Sequence, residues 1–276
     1  MEYNLLGKMK RTTEFYCFIS YKHRDNEAFV ADQKWSELIA NCLANLYIPT
    51  KIPLRDQDFV CLNPKDERVS PVFRDFNILT ANDYNQKIEE ALQCSRKLVA
   101  IVSKEMLADQ EHKVKSWLEQ AKVEEYEETD IDTSNKQWET VYKQADAWCY
   151  REIHQFLHAY HHLPDDVIIV YIGDKEDVRN IIPDPLRRYR TTDKNAEGAI
   201  YSAFDYNDTI NYWENSRNIF FSADAPGEGI NEERAYLIAG RIAGSIFDVS
   251  AEEFASIRKY RELARRRKTI IMLLLI

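Results

Sequence analysis

Glycine is scarce. The chain holds seven, and none falls into G-x-G-x-x-G or G-x-x-x-x-G-K-[ST], so a glycine loop cradling phosphates is excluded and any nucleotide must be held another way. Cysteine is sparse too: Cys17, Cys42, Cys61, Cys94 and Cys149 are odd in number, widely spaced and without a C-x-x-C pair. That pattern supports neither a disulfide frame nor a zinc site and points to reduced thiols in the cytosol. The N-terminal MEYNLLGKMKRTTEF lacks the apolar stretch of a signal peptide, so export is not indicated. Internal repeats and low-complexity linkers are missing as well. Positive charge is in deficit, with a net formal charge of −9. The one basic block, on a helix near the C-terminus, has no aromatic partner beyond Tyr260, which argues against nucleic acid.

What is present suits one sizeable core or two modest ones: 45% of the 276 residues are hydrophobic and 12% aromatic. Short apolar runs read as buried strands: FYCFISY (15–21), the core of SPVFRD (70–75), KLVAIVS (97–103), VIIVYIG (167–173) and RNIFFSA (217–223). Between them lie helical patterns at 30–47, at 83–94, from Lys104 to about Thr129, and at about 136–162. Strands that are continuously apolar and alternate with helices imply a parallel sheet covered on both faces. The expected fold is therefore a doubly wound, flavodoxin-like α/β domain with a five-stranded parallel sheet over 14–222. An acidic helical insert occupies about 104–135, and a helical extension runs over 230–268.

The last eight residues, TIIMLLLI (269–276), follow the block Arg258, Lys259, Arg261, Arg265, Arg266, Arg267 and Lys268. Eight residues are too few to cross a bilayer, which takes roughly 20. Positive charge just before an all-apolar run is nonetheless the pattern of a cytoplasmic membrane entry point. The expectation is the start of a transmembrane helix anchoring a cytoplasmic domain to the inner membrane; an apolar tail packed on its own domain is the alternative.

In a doubly wound sheet, ligands sit outside the carboxyl ends of the strands. SYKHRD (20–25), RDFNILTANDY (74–84) and the region after Ser103 follow three strands there. The helix over 136–162 returns to the same rim. On it Cys149, Ile153, Phe156 and Tyr160 form a buried stripe, and Glu152 lies roughly 70° from the stripe's centre, with Trp148 one turn earlier on the same side. By periodicity Glu152 sits at the core's margin, either as an ordinary paired carboxylate or as one kept for chemistry. His154, His158 and His161 fall almost opposite the stripe with no carboxylate or cysteine at ligand spacing, and read as a solvated face, not a metal site.

FISY (18–21), VFRD (72–75), SRKLVAIVS (95–103) and WCYRE (148–152) together resemble the boxes of TIR (Toll/interleukin-1 receptor) domains, in order and in sheet position. The last is similar to the W-x-x-x-E motif of enzymatic, particularly bacterial, members. The resemblance implies cleavage of NAD+ at the nicotinamide–ribose bond, with NAD+ as substrate and no further cofactor, in a protein that self-associates through TIR domains in signalling or defence. It implies Glu152 as the catalytic carboxylate and Trp148 as a wall of the ribose pocket. Tyr84 would stack on a ring of the ligand, Tyr21, Lys22 and Arg24 would line the pocket or meet phosphates, and Asp75 would order the second-box loop. A non-enzymatic TIR scaffold is the other reading. Two features depart from the family: Asn82 stands nearest where a glycine is usual, and the acidic insert lengthens the interval before WCYRE.

Overall fold

The computed structural model describes residues 14–23, 29–46, 48, 69, 72–74, 84–122, 131–160, 162–173, 176–189, 218–222 and 231–250. The apolar runs become strands: β1 (Phe15–Ser20), β2 (Val72–Arg74), β3 (Ser95–Ser103), β4 (Val167–Ile172) and β5 (Ile219–Ser222). All pair in parallel, in the order β2-β1-β3-β4-β5. This is the flavodoxin-like α/β arrangement that the continuous apolar runs predict. Its order places a topological switch point between β1 and β3, where the chain leaves in opposite directions and opens a crevice at the carboxyl ends.

Each face of the sheet has its own core. On one, Cys17, Ile19, Val99, Ile101, Ile168 and Val170 pack under α1 (Val30–Asn45) and α8 (Glu232–Phe247), with Trp35, Ile39 and Leu43 meeting Ile238, Ile242 and Ile246. Full burial of each such side chain contributes about 1.5–3 kcal/mol, which seats both helices. The sequence pattern groups α8 with the C-terminal extension, yet it forms part of this core. It begins at an Asn231 cap whose side chain accepts from the amides of Glu233 and Arg234.

On the other face Phe18, Leu98, Ala100, Val102, Ile169 and Tyr171 are covered by α2 (Tyr84–Gln93), α3 (Lys104–Ala121), α4 (Ile131–Gln144) and α5 (Trp148–His154), and the short α6 (Val178–Ile181) and α7 (Asp184–Arg187) add Ile181 and Leu186 to the same core. The helix α3 starts where β3 ends, because Ser103 accepts the Met106 amide at 3.1 Å. It stops at Lys122, short of the expected Thr129, with the backbone left-handed at φ 52°. Of the exposed connection expected over EEYEETDIDTSN (124–135), residues 124–130 lie outside the described residues, and 131–135 instead form the start of α4. At Lys122 a β-carbon in this left-handed backbone costs about 1–2 kcal/mol, part of which glycine returns through its freer unfolded state. Lys122→Gly should therefore stabilise the fold by about 0.5–1 kcal/mol, read as a higher urea midpoint at unchanged slope.

The continuous helix expected over 136–162 is two helices. After Gln144 the chain turns at Asp146, whose φ is 55°, and the Ala147 amide reaches back to the Tyr142 carbonyl at 3.0 Å. Aspartate tolerates this conformation better than most residues. The helix α5 then starts afresh at Trp148, and its continuation, Gln155–Ala159, is a π turn that again shifts the phase of the helix. Residues 251–276, with the basic block and the apolar run, lie outside the described residues. Among the described residues no helix is long and apolar enough to cross a membrane.

Candidate active site

The side chains of β1 alternate, so Ser20, its last residue, shares a face with Phe18 and looks toward α5. There the Ser20 hydroxyl donates to the Glu152 carboxylate at 2.5 Å. Glu152 is 6% exposed. It is not at the margin of the core but inside it, beside the switch point between β1 and β3. The wheel misplaces it because it assumes one covered side, whereas α5 is covered nearly all round and buries every residue from Cys149 to His154. The sheet lies on one side, α2 reaches Arg151 through Glu89, α3 reaches the Cys149 amide, and α4 packs Tyr142 against Tyr150 and His154.

His154, expected on a solvated face, is inside the core for the same reason. It is buried, with its ring 5.4 Å from that of Tyr142 and its Nε2 2.9 Å from the Asn135 carbonyl. Burial lowers its pKa to about 4, so the imidazole is neutral at physiological pH. Among the described residues no group of histidine, cysteine or acidic side chains is arranged to hold a metal ion. No disulfide joins the described cysteines Cys17, Cys42, Cys94 and Cys149. Burial raises the Cys17 thiol to about 12, which leaves it a core residue and not a nucleophile.

The remaining expected site residues separate into groups. Trp148 is half-buried one turn before Glu152, with the Arg151 guanidinium 5.0 Å from its ring centre. Arg151 is held in turn by Glu89 at 2.8 Å, so the indole is braced from α2. Lys22 lies at the rim, 3.6 Å from Asp109 of α3 and 5.1 Å from the centre of the Phe29 ring. Tyr21 is buried in the core under α1 and α8, on the other side of the sheet from Ser20 and Glu152, and stacks on His23 at 4.7 Å. Tyr84 opens α2. Arg24, Asp75 and Asn82 lie outside the described residues.

The sequence reading misses a second buried carboxyl at the rim. Asp32, in the first turn of α1, is 1% exposed and accepts the Ser103 hydroxyl at 2.9 Å. Burial raises its pKa to about 7, and the charge of Glu105 adds to this against the opposing Ser103 hydrogen bond. The adjacent strands β1 and β3 thus each end in a serine bonded to a buried carboxyl, on opposite faces of the sheet. Asp32 is unlike Glu152 in helping to hold a helix: Ser103 both donates to it and caps α3.

Compared with protein-family models, with curated proteins and with solved structures, the chain matches none.

Proposed function

We propose that the protein is an NAD+ hydrolase of the TIR type, cleaving the nicotinamide–ribose bond at Glu152. The observation that carries this reading is the buried Glu152 carboxylate, held by Ser20 at the carboxyl end of β1 beside the switch point. It is joined by the resemblance of FISY, VFRD and WCYRE to TIR boxes. The chemistry suits a single carboxylate. Most glycosidases need a second acid to protonate a poor leaving group, but nicotinamide is already cationic in NAD+ and leaves neutral. What the enzyme must supply is a fixed negative charge for the oxocarbenium-like centre that develops at the ribose. A carboxylate preset by a hydroxyl, in surroundings of low dielectric, meets that need without reorganising during the reaction. Trp148, braced by Arg151, would wall the ribose, and Lys22 would face the phosphates from the rim.

The product is nicotinamide with ADP-ribose, linear or cyclised. Self-association through the TIR faces would complete the site, and attachment to the inner membrane would come through the C-terminal run. The test is nicotinamide release from NAD+ by the full chain at high protein concentration, wild type beside Glu152→Ala. Equal rates in the two would remove the enzymatic reading and leave the scaffold.

A further inference from the structure

The helix α5 has no cap of its own. Its first-turn amides have no partner within the helix, and Ala147, at the N-cap, offers no side-chain acceptor. The acceptor comes from another helix: Oε1 of Gln110, on α3, receives the Cys149 amide at 3.2 Å. Gln110 is buried to 1% exposure, and its other end is also engaged, Nε2 donating to the Asp109 carboxylate at 2.7 Å. That same Asp109 oxygen lies 3.6 Å from Lys22 and 3.4 Å from Lys113. Lys113 in turn donates to the Asp146 carbonyl, at the break before α5, at 3.2 Å.

One turn of α3 therefore grips three things at once: the loop after β1 through Lys22, the break through Lys113, and the start of α5 through Gln110. Glu152 stands one turn beyond Cys149 on α5. Its carboxylate can meet the Ser20 hydroxyl only if α5 keeps both its depth and its rotation against the sheet.

We propose that Gln110, with Asp109, is a positioning clamp that sets the start of α5 and so places the Glu152 carboxylate, while fixing Lys22 on the same rim. The clamp rests on the reading of Glu152 as the reacting carboxylate. It gives the inserted stretch before WCYRE a role in the reaction, since α3 supplies every gripping side chain. Gln110 touches no substrate; it acts through the backbone of α5. Its loss should therefore lower turnover with little effect on affinity, because misplacement by about 1 Å at a reacting group costs on the order of 100-fold.

The experiment measures nicotinamide release against NAD+ concentration for full-chain wild type, Gln110→Met, Gln110→Asn and Glu152→Ala, with a thermal melt of each. Methionine keeps the volume without the acceptor. Asparagine keeps the amide but falls one carbon short of the Cys149 amide, and serves if the methionine variant does not fold. The expected result is a kcat about 10- to 100-fold lower in the methionine and asparagine variants, with KM within about threefold of wild type. A folded methionine or asparagine variant with kcat within threefold of wild type overturns the clamp. So does a folded variant whose loss lies in KM and not in kcat. If Glu152→Ala is inactive while the Gln110 variants keep their turnover, the clamp alone falls. If Glu152→Ala matches wild type, or wild type releases no nicotinamide, the reading beneath it falls as well.

Discussion

Glu152→Gln should reduce nicotinamide release by at least about 1,000-fold and leave the melting temperature within a few degrees of wild type. Glutamine is isosteric with glutamate, and its carbonyl can still accept the Ser20 hydroxyl that reaches Glu152 at 2.5 Å. The packing of α5 against α2, α3 and α4 involves other atoms. What disappears is the negative charge, and removing one fixed group that stabilises developing charge typically costs a factor of 100 to 1,000. Here the same group is asked to supply most of that stabilisation, so the upper end is expected. Stability should hold or rise slightly, because a buried charge is costly to keep. A variant that unfolds would assign Glu152 to the framework, and one that turns over NAD+ at the wild-type rate would end the catalytic assignment.

Asp32→Asn should stabilise the fold by about 2–3 kcal/mol at pH 8 and by little at pH 4.5. The folded pKa of Asp32 is raised to about 7 from an ordinary 3.8, so between about pH 4 and pH 7 the native state holds a proton that the unfolded chain has released. Stability from this group accordingly falls as pH rises through that window, and the full penalty stands above about 7. Three pKa units correspond to roughly 4 kcal/mol, reduced by the new amide that must sit where Asp32 Oδ1 finds no partner.

His154 has the opposite slope. Its folded pKa is lowered to about 4 from 6.5, so its contribution is complete above about 6.5 and is lost as pH falls toward 4. In wild type the two groups oppose each other over the shared range and flatten the profile. In the asparagine variant the acid limb set by His154 should stand out. Urea unfolding at pH 4.5, 6 and 8 checks this, and an equal gain at all three would assign the effect to shape instead of charge.

The strands were legible because a parallel sheet covered on both faces demands uninterrupted apolar runs, as in VIIVYI of β4, and these are hard to mistake. The rim position of Glu152 followed from topology. Its burial did not, because a helical wheel recognises one buried side and α5 is surrounded by the sheet and three helices. The same blindness sent His154 to the surface. Ser20 could have been found: strand alternation puts it on the face of Phe18, toward the helix that returns with Glu152. Asp32 could not, since an acid in a helix's first turn is usually a solvated partner of the helix dipole. Gln110 had no local signal at all. A glutamine in an acidic helical stretch reads as surface, and only the three-dimensional meeting of α3 with an uncapped α5 gives it meaning.

The turn at Asp146 has a further consequence, for how this chain tolerates change in length. Were 131–159 one unbroken helix, a single residue gained or lost before Trp148 would swing Glu152 by about 100° around the axis, away from Ser20. Because the helical phase is reset at Ala147, the bearing of the carboxylate does not follow the phase of α4. Changes of length that leave Gln110 of α3 and Tyr142 of α4 in place against α5 therefore do not turn the group that α5 carries.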